Sequence, residues 1–175
     1  LGVRAIFGRV DVTAPAQIDR FVARVEAELG PIRILVNNAA RPSEGVALET
    51  VDDELWRCII DTNLSSVFYF GKRVALRMIA NGAGGSIINV SSMNAFVISN
   101  IAPRHNVAYC TAKAGIVGLT RGMAAEWARH GIRVNALAPG YIATELNRDF
   151  FASEAGAAMI KRVPQRRLGT LAELD

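Results

Sequence analysis

Short apolar runs alternating with long amphipathic stretches constrain this chain more than any other feature. Ile32 to Val36 is nearly continuously apolar, the signature of a parallel strand buried on both faces. Ser86 to Val90 and Arg133 to Ala138 read as two further strands, and Ala5 to Val10 as a short one ended by Asp11-Val12-Thr13. Between Ala5 to Val10 and Ile32 to Val36 lies a helix. Thr13 is placed to cap it, Pro15 is tolerated in its first turn, and Gly30-Pro31 stops it. Its Ile18, Phe21, Val22, Val25 and Leu29 form one apolar stripe. A second helical region runs from Val51 to Ala80, with Thr50 and Asp53 forming an approximate capping box and Asn63 in its middle. Asn81-Gly82-Ala83-Gly84-Gly85 ends it. A third runs from Val107 to His130 and is closed by Gly131; a polar helical segment with a break at Pro164 ends the chain.

Strands and helices in this alternation predict an α/β fold, a doubly wound parallel sheet with helices on both faces. In such sheets ligands bind beyond the carboxyl ends of the strands. Asn37-Asn38-Ala39-Ala40, Ser91-Ser92 and Pro139-Gly140-Tyr141-Ile142-Ala143-Thr144 all fall at such ends.

Composition narrows the class. The 175 residues are 51% hydrophobic, carry a net charge of +4 and suit a single domain, residues 1–175. No apolar run reaches the ~18 residues of a membrane span, and the start carries no secretory pattern. Cys58 and Cys110 have no framework or metal-ligand spacing, as expected of unpaired thiols in the cytoplasm. His105 and His130 have no metal-ligand spacing either, and His130 reads as a cation at a helix C-terminus. The cluster Lys161, Arg162, Arg166 and Arg167 lacks the recognition motif and aromatic interleaving of a nucleic-acid surface.

The sharpest chemical signal is Tyr109-Cys110-Thr111-Ala112-Lys113. On a helix this spacing puts the phenol and the ammonium on one face. A phenol titrates near ~10, and a neighbouring ammonium favours the phenolate. Bringing it to neutrality requires about three pKa units, roughly 4 kcal/mol, within reach of one lysine plus a charged cofactor.

With Asn37-Asn38-Ala39, Asn63, Ser91-Ser92, Tyr109 with Lys113, and Pro139-Gly140 with Thr144 in this order, the chain resembles the short-chain dehydrogenase/reductase family along its whole length. The resemblance implies a Rossmann-like sheet and an NAD- or NADP-dependent oxidoreductase. Such an enzyme moves a hydride between nicotinamide and a secondary alcohol or ketone. Tyr109 would be the general acid–base and Lys113 would lower its pKa and hold the cofactor ribose. Ser92, the second serine after the strand, would polarise the substrate oxygen, and Asn63 would interrupt its helix and hold a relay water. Asp11, with Val12 beside it, would take the adenine amino group. Asn37, Ala39, Pro139 and Gly140 would line the cofactor, and Ile142 and Thr144 would hold its carboxamide. The two long helices resemble the family's interface, implying a homotetramer or dimer. Residues 145–162 would form a lid over the substrate. In flavour the chain is similar to the sugar-acid and polyol dehydrogenases, with a 3-oxoacyl reductase as the close alternative.

Some features depart from the family. Its glycine-rich T-G-x-x-x-G-x-G turn has no counterpart here, because Asn81 to Gly85 precedes a strand instead of following one. Against the family, the chain reads as an internal fragment, without the first two strands and the last one. Such a fragment exposes an apolar sheet edge, so it is expected to fold poorly and not to turn over substrate alone. Ala40 stands where the family has glycine, and the stretch from Met93 to Asn106 is longer than usual. Two other classes compete. One is a non-catalytic cofactor- or partner-binding scaffold, which the intact Asn63, Ser92, Tyr109 and Lys113 set disfavours. The other is a serine hydrolase pairing Ser92 with His105, which lacks the G-x-S-x-G elbow.

Overall fold

A computed structural model describes residues 2–42, 47–97 and 107–174, apart from the side chain of Leu146. Its elements are α1 (Pro15–Leu29), β1 (Ile34–Asn37), α2 (Asp53–Ile60), α3 (Ser66–Ala80), β2 (Gly85–Val90), α4 (Val107–Trp127), β3 (Ile132–Leu137), α5 (Arg148–Ala152) and α6 (Glu154–Ile160). The three strands are parallel in the order β1-β2-β3, with Leu35 beside Ile87 and Ile87 beside Val134. This is the expected α/β architecture of Rossmann type.

Register decides the core. Leu35, Ile87, Ile132 and Val134 share one face and pack under Val74, Ala75 and Met78 of α3 and Met123 of α4. Ile18 and Val22 of α1 close the same cluster. Burying such a side chain contributes about 1.5–3 kcal/mol each, so this single layer carries much of the stability. The other face differs from expectation. Ile34 is 65% and Val36 55% exposed, so β1 is not buried on both sides among the described residues. The helices that pack on the sheet, α3 and α4, cover the Leu35 and Ile87 face, and nothing described covers the Ile34 face.

Ala5 to Val10 is not a strand. A strand needs a ladder partner, and this segment lies along α1 instead, with Arg24 Nη1 donating to the Phe7 carbonyl at 3.3 Å and Arg4 bonded to the Glu28 carbonyl. The cap of α1 is also different from expectation. Ala14 occupies the N-cap, while the Thr13 amide and hydroxyl both donate to Asp11 Oδ1, at 2.9 and 2.7 Å. Similarly, Asp52 and not Thr50 caps α2, accepting from the Leu55 amide at 2.7 Å. At α2 a carboxylate accepts a backbone N–H better than a neutral hydroxyl; before α1, Thr13 is drawn to Asp11 and the N-cap has no side-chain bond.

Two glycines are required here, Gly84 by close approach and Gly131 by its left-handed φ. Gly84 (φ 62°) and Gly131 (φ 67°) cross where β2 and β3 begin, and a Cβ on Gly84 would lie 2.4 Å from the Gly131 carbonyl oxygen. No helix among the described residues is long and apolar enough to cross a membrane.

Candidate active site

The carboxyl ends of β2 and β3 are spliced together. The Ser91 amide donates to the Leu137 carbonyl at 2.7 Å and the Met93 amide to the Pro139 carbonyl at 3.0 Å. α4 then packs across these ends and β3. The two adjacent serines are separated by this arrangement. Ser91 is buried, and its hydroxyl donates to the Lys113 carbonyl at 2.8 Å. Ser92 caps the short turn Met93–Ala95, accepting from the Asn94 amide at 3.2 Å. Successive extended residues turn their side chains to opposite sides, so Ser92 and not Ser91 is the serine that acts on the Tyr109 phenol, lowering its pKa.

Lys113 is 2% exposed. Its Nζ donates to the Val90 carbonyl at 2.7 Å and lies 5.6 Å from the centre of the Tyr109 ring. Burial pushes the ammonium below its ordinary value. Burial likewise pushes the Tyr109 phenol above 10.0, with the Ser92 hydrogen bond pulling the other way. That direction is the reverse of the sequence-based expectation. Same-face spacing brings the pair together, but desolvation of the phenol outweighs everything opposing it, and Lys113 does not figure among the causes.

Asn63 lies where expected, in a five-residue π turn, Asp61–Ser65, between α2 and α3. It is wholly buried, and its amide bonds one residue twice: Oδ1 accepts from the Arg41 amide at 2.7 Å and Nδ2 donates to the Arg41 carbonyl at 2.9 Å. These two bonds fix the chain after β1 to the π turn.

Asn37 closes β1, but its side chain turns along the sheet. Nδ2 donates to Asn89 Oδ1 at 2.9 Å, and Asn89 Nδ2 donates to Thr120 Oγ1 at 2.9 Å. This chain of three polar side chains, buried at Asn89 and Thr120 and half-buried at Asn37, joins β1, β2 and α4. Asn89 and Thr120 were not legible as site residues, although an Asn inside the apolar run Ile87-Ile88-Asn89-Val90 is the available signal. Ala39 is exposed just beyond β1. Val12 is half-buried next to Asp11, which lines an open recess of 600 Å³ with Arg9, Val10 and Gln17. Thr13 holds the Asp11 carboxyl below its ordinary value.

Beyond β3, Gly140 passes Met93, Ile142 forms an isolated bridge to Gly169, and Thr144 caps the turn Glu145–Asn147. His105, with Ser43 and residues 98–106 of the longer loop, lies outside the described residues.

The donor set fits the two ends of a nicotinamide dinucleotide. Asp11 offers an acceptor in its recess, and Lys113 has two N–H groups beyond the one given to Val90. The Tyr109 and Ser92 hydroxyls sit beside it. Among the described residues no glycine-rich turn follows a strand into a helix, so no pyrophosphate cradle is seen. A groove of 420 Å³ between α3 and α4, lined by Phe68, Lys72, Leu76, Leu119 and Trp127, shares no residue with this site.

Comparison with known proteins agrees with this geometry. Residues 1–155 match the short chain dehydrogenase family. The chain is 41% identical to 2-dehydro-3-deoxy-D-gluconate 5-dehydrogenase of Escherichia coli over 161 residues, 91% of this chain and 60% of that protein. It is 37% identical to the 3-oxoacyl acyl-carrier-protein reductase FabG of Salmonella typhimurium, over 94% of this chain and 65% of that one. The crystal structure of a gluconate 5-dehydrogenase from Burkholderia cenocepacia in complex with NADP and tartrate superposes with a TM-score of 0.83 at 38% identity, over 94% of this chain and 62% of that one. The chain thus spans less than two thirds of the length of these relatives.

Proposed function

The chain belongs to the short-chain dehydrogenase/reductase family, and on that premise we propose that it carries the catalytic half of an NAD(P)-dependent oxidoreductase. The reaction interconverts a secondary alcohol and a ketone. The observation that carries this reading is the meeting of Ser92, Tyr109 and Lys113 where β2 ends against α4.

Each residue has a physical task. The nicotinamide, when bound, supplies or takes the hydride. Tyr109 exchanges a proton with the substrate oxygen, as a phenol held protonated by burial can do in the reductive direction. Ser92 has a lone pair engaged by the Asn94 amide, which leaves its O–H for Tyr109 or for a developing oxyanion. Lys113, fixed by Val90, presents its other N–H groups to the ribose, and its charge favours the phenolate once proton transfer begins. Asn63 holds the Arg41 loop, and a relay water sits against it. Asp11 with Val12 takes the adenine; Asn37, Ala39, Pro139 and Gly140 line the cofactor through the main chain, and Ile142 and Thr144 meet the carboxamide.

The substrate class is a sugar acid or polyol, supported by the gluconate-type relatives, with a 3-oxoacyl thioester second, supported by the reductase of Salmonella typhimurium. NAD and NADP both remain open to this donor set. Phe68 and Leu76, 43% and 56% exposed, flank the α3–α4 groove, which suits a second copy of the chain, making a homodimer or tetramer. The unpaired Cys58 and Cys110 suit the reducing cytoplasm.

Steady-state assays of nicotinamide absorbance on the full protein, with gluconate-type and 3-oxoacyl substrates, test the reading. Turnover that disappears in Tyr109→Phe is the expected result. Near-normal turnover in that variant would sink the mechanism, and absence of any cofactor binding would sink the enzyme reading.

A further inference from the structure

After β3 the segment Tyr141–Thr144 is held from two sides. On one side is the main chain of Gly169: its amide donates to the Tyr141 carbonyl at 2.8 Å, and its carbonyl accepts from the Ala143 amide at 2.9 Å. On the other is Asn147, whose Nδ2 donates to the Ile142 carbonyl at 2.8 Å and whose Oδ1 accepts from the Thr144 amide at 2.9 Å. Four consecutive residues thus each have a main-chain polar group tied down, in a loop that belongs to no sheet. Side-chain space is equally tight, since a Cβ on Gly169 would lie 2.6 Å from Ile142 Cδ1.

Gly169 is in turn fixed by its neighbours. Arg167 makes a forked pair with Glu173, Nη1 to Oε2 at 2.9 Å and Nη2 to Oε1 at 2.7 Å, and Nη1 also reaches the Leu168 carbonyl at 3.1 Å. The Thr170 amide and hydroxyl donate to the same Glu173 Oε2, at 2.8 and 3.2 Å. Residues on both sides of Gly169 therefore converge on one carboxylate. Arg166, at φ 53°, turns the chain so that Arg167 faces back toward Glu173.

We propose that Arg167, Glu173 and Asn147 are positioning residues, a two-sided clasp that sets the Ile142–Thr144 segment at the carboxyl end of β3 and thereby controls cofactor affinity from outside the pocket. The role toward the cofactor rests on the reading of Ile142 and Thr144 as carboxamide contacts. The bidentate geometry is what makes the clasp directional, since an exposed ion pair adds little as a point-charge attraction. Arg167 and the Thr170 amide hold the Glu173 carboxyl down to about 2, so the pair stays ionised across the neutral range.

The test compares Glu173→Ala, Arg167→Lys and Asn147→Ala in the full protein by amide hydrogen exchange and by titration with NADH and NADPH. Glu173→Ala should speed exchange at Ala143 and Gly169 by about three- to tenfold, with β2 and β3 amides unchanged. Its cofactor dissociation constant should rise by a similar factor. Arg167→Lys keeps the charge but not the fork, and should fall between it and the unaltered protein. Asn147→Ala should loosen Thr144 and weaken the cofactor likewise. Unchanged exchange at Ala143 and Gly169 would overturn the clasp, whatever the activity. Faster exchange with unchanged cofactor affinity would overturn the positioning role. Failure of the unaltered protein to bind either cofactor would refute the enzyme reading and the clasp's role toward it, while exchange would still decide the clasp itself.

Discussion

The Ser91 hydroxyl donates to the main-chain carbonyl of Lys113 at 2.8 Å, pinning the end of β2 to the helix that carries the Tyr109 and Lys113 side chains. Its neighbour Ser92 makes no such anchor and faces Tyr109 instead. Two adjacent, chemically identical residues are thereby divided between structure and chemistry.

That division is measurable. Ser91→Ala should lower stability by about 0.5–1.5 kcal/mol, the worth of one hydroxyl bond to a carbonyl that keeps its helical partner, with little change in turnover per folded molecule. Ser92→Ala should leave the melting temperature nearly unchanged and cut kcat by roughly a hundredfold or more. The reverse pattern in paired melting and kinetic measurements would show that the roles had been exchanged.

The alkaline limb of stability should carry the signature of Tyr109. In the unfolded chain its phenol ionises near 10.0, and in the fold burial keeps it protonated to higher pH. Above 10.0 the folded state therefore binds more protons, so the phenol's contribution is intact below that pH and is lost as pH rises through the folded value. Lys113 acts in the opposite sense: its folded value lies below 10.5, and the penalty for its buried charge is relieved as pH rises toward 10.5. Denaturant titrations of Tyr109→Phe across the alkaline range should show a shallower decline than the unaltered protein. A steeper decline would contradict the buried phenol. The same variant should lose about 10²- to 10⁴-fold in kcat.

Asn89 is the keystone of the chain from Asn37 to Thr120. Asn89→Ala leaves the Thr120 hydroxyl and the Asn37 amide without their partner and should cost about 1–3 kcal/mol for each group that stays dry. Thr120→Val removes only the far end and should cost less. Equal costs in thermal unfolding of the two variants would mean that water replaces Asn89 without loss.

Asn63→Ala removes both hydrogen bonds to Arg41. Faster amide exchange at Arg41 is expected, with a loss of about 1–3 kcal/mol in stability. Asn63→Asp keeps the acceptor for the Arg41 amide and loses the donor to its carbonyl, and should retain part of the protection. Unaltered exchange at Arg41 in the alanine variant would show that the loop is held by something else.

Much of this molecule follows from local sequence alone. The alternation of short apolar runs and amphipathic stretches determined three parallel strands and the helices between them, because period and chain punctuation are local properties. Tyr109 and Lys113 share a helix face for the same reason, whereas the break at Asn63 was implied by the family resemblance and not by the periodicity. Only the tertiary structure decided what depends on neighbours distant in the chain. Ala5 to Val10 is extended-looking in sequence but finds no ladder, and β1 is apolar on a face that nothing described covers. The direction in which Tyr109 titrates is set by how much protein surrounds it, which spacing does not reveal. Ser91 and Ser92, Asn89 with Thr120, and Arg167 with Glu173 acquire their roles from hydrogen bonds to partners that only folding brings near. Periodicity tells which way a side chain points along its own element, and packing alone tells what it meets there.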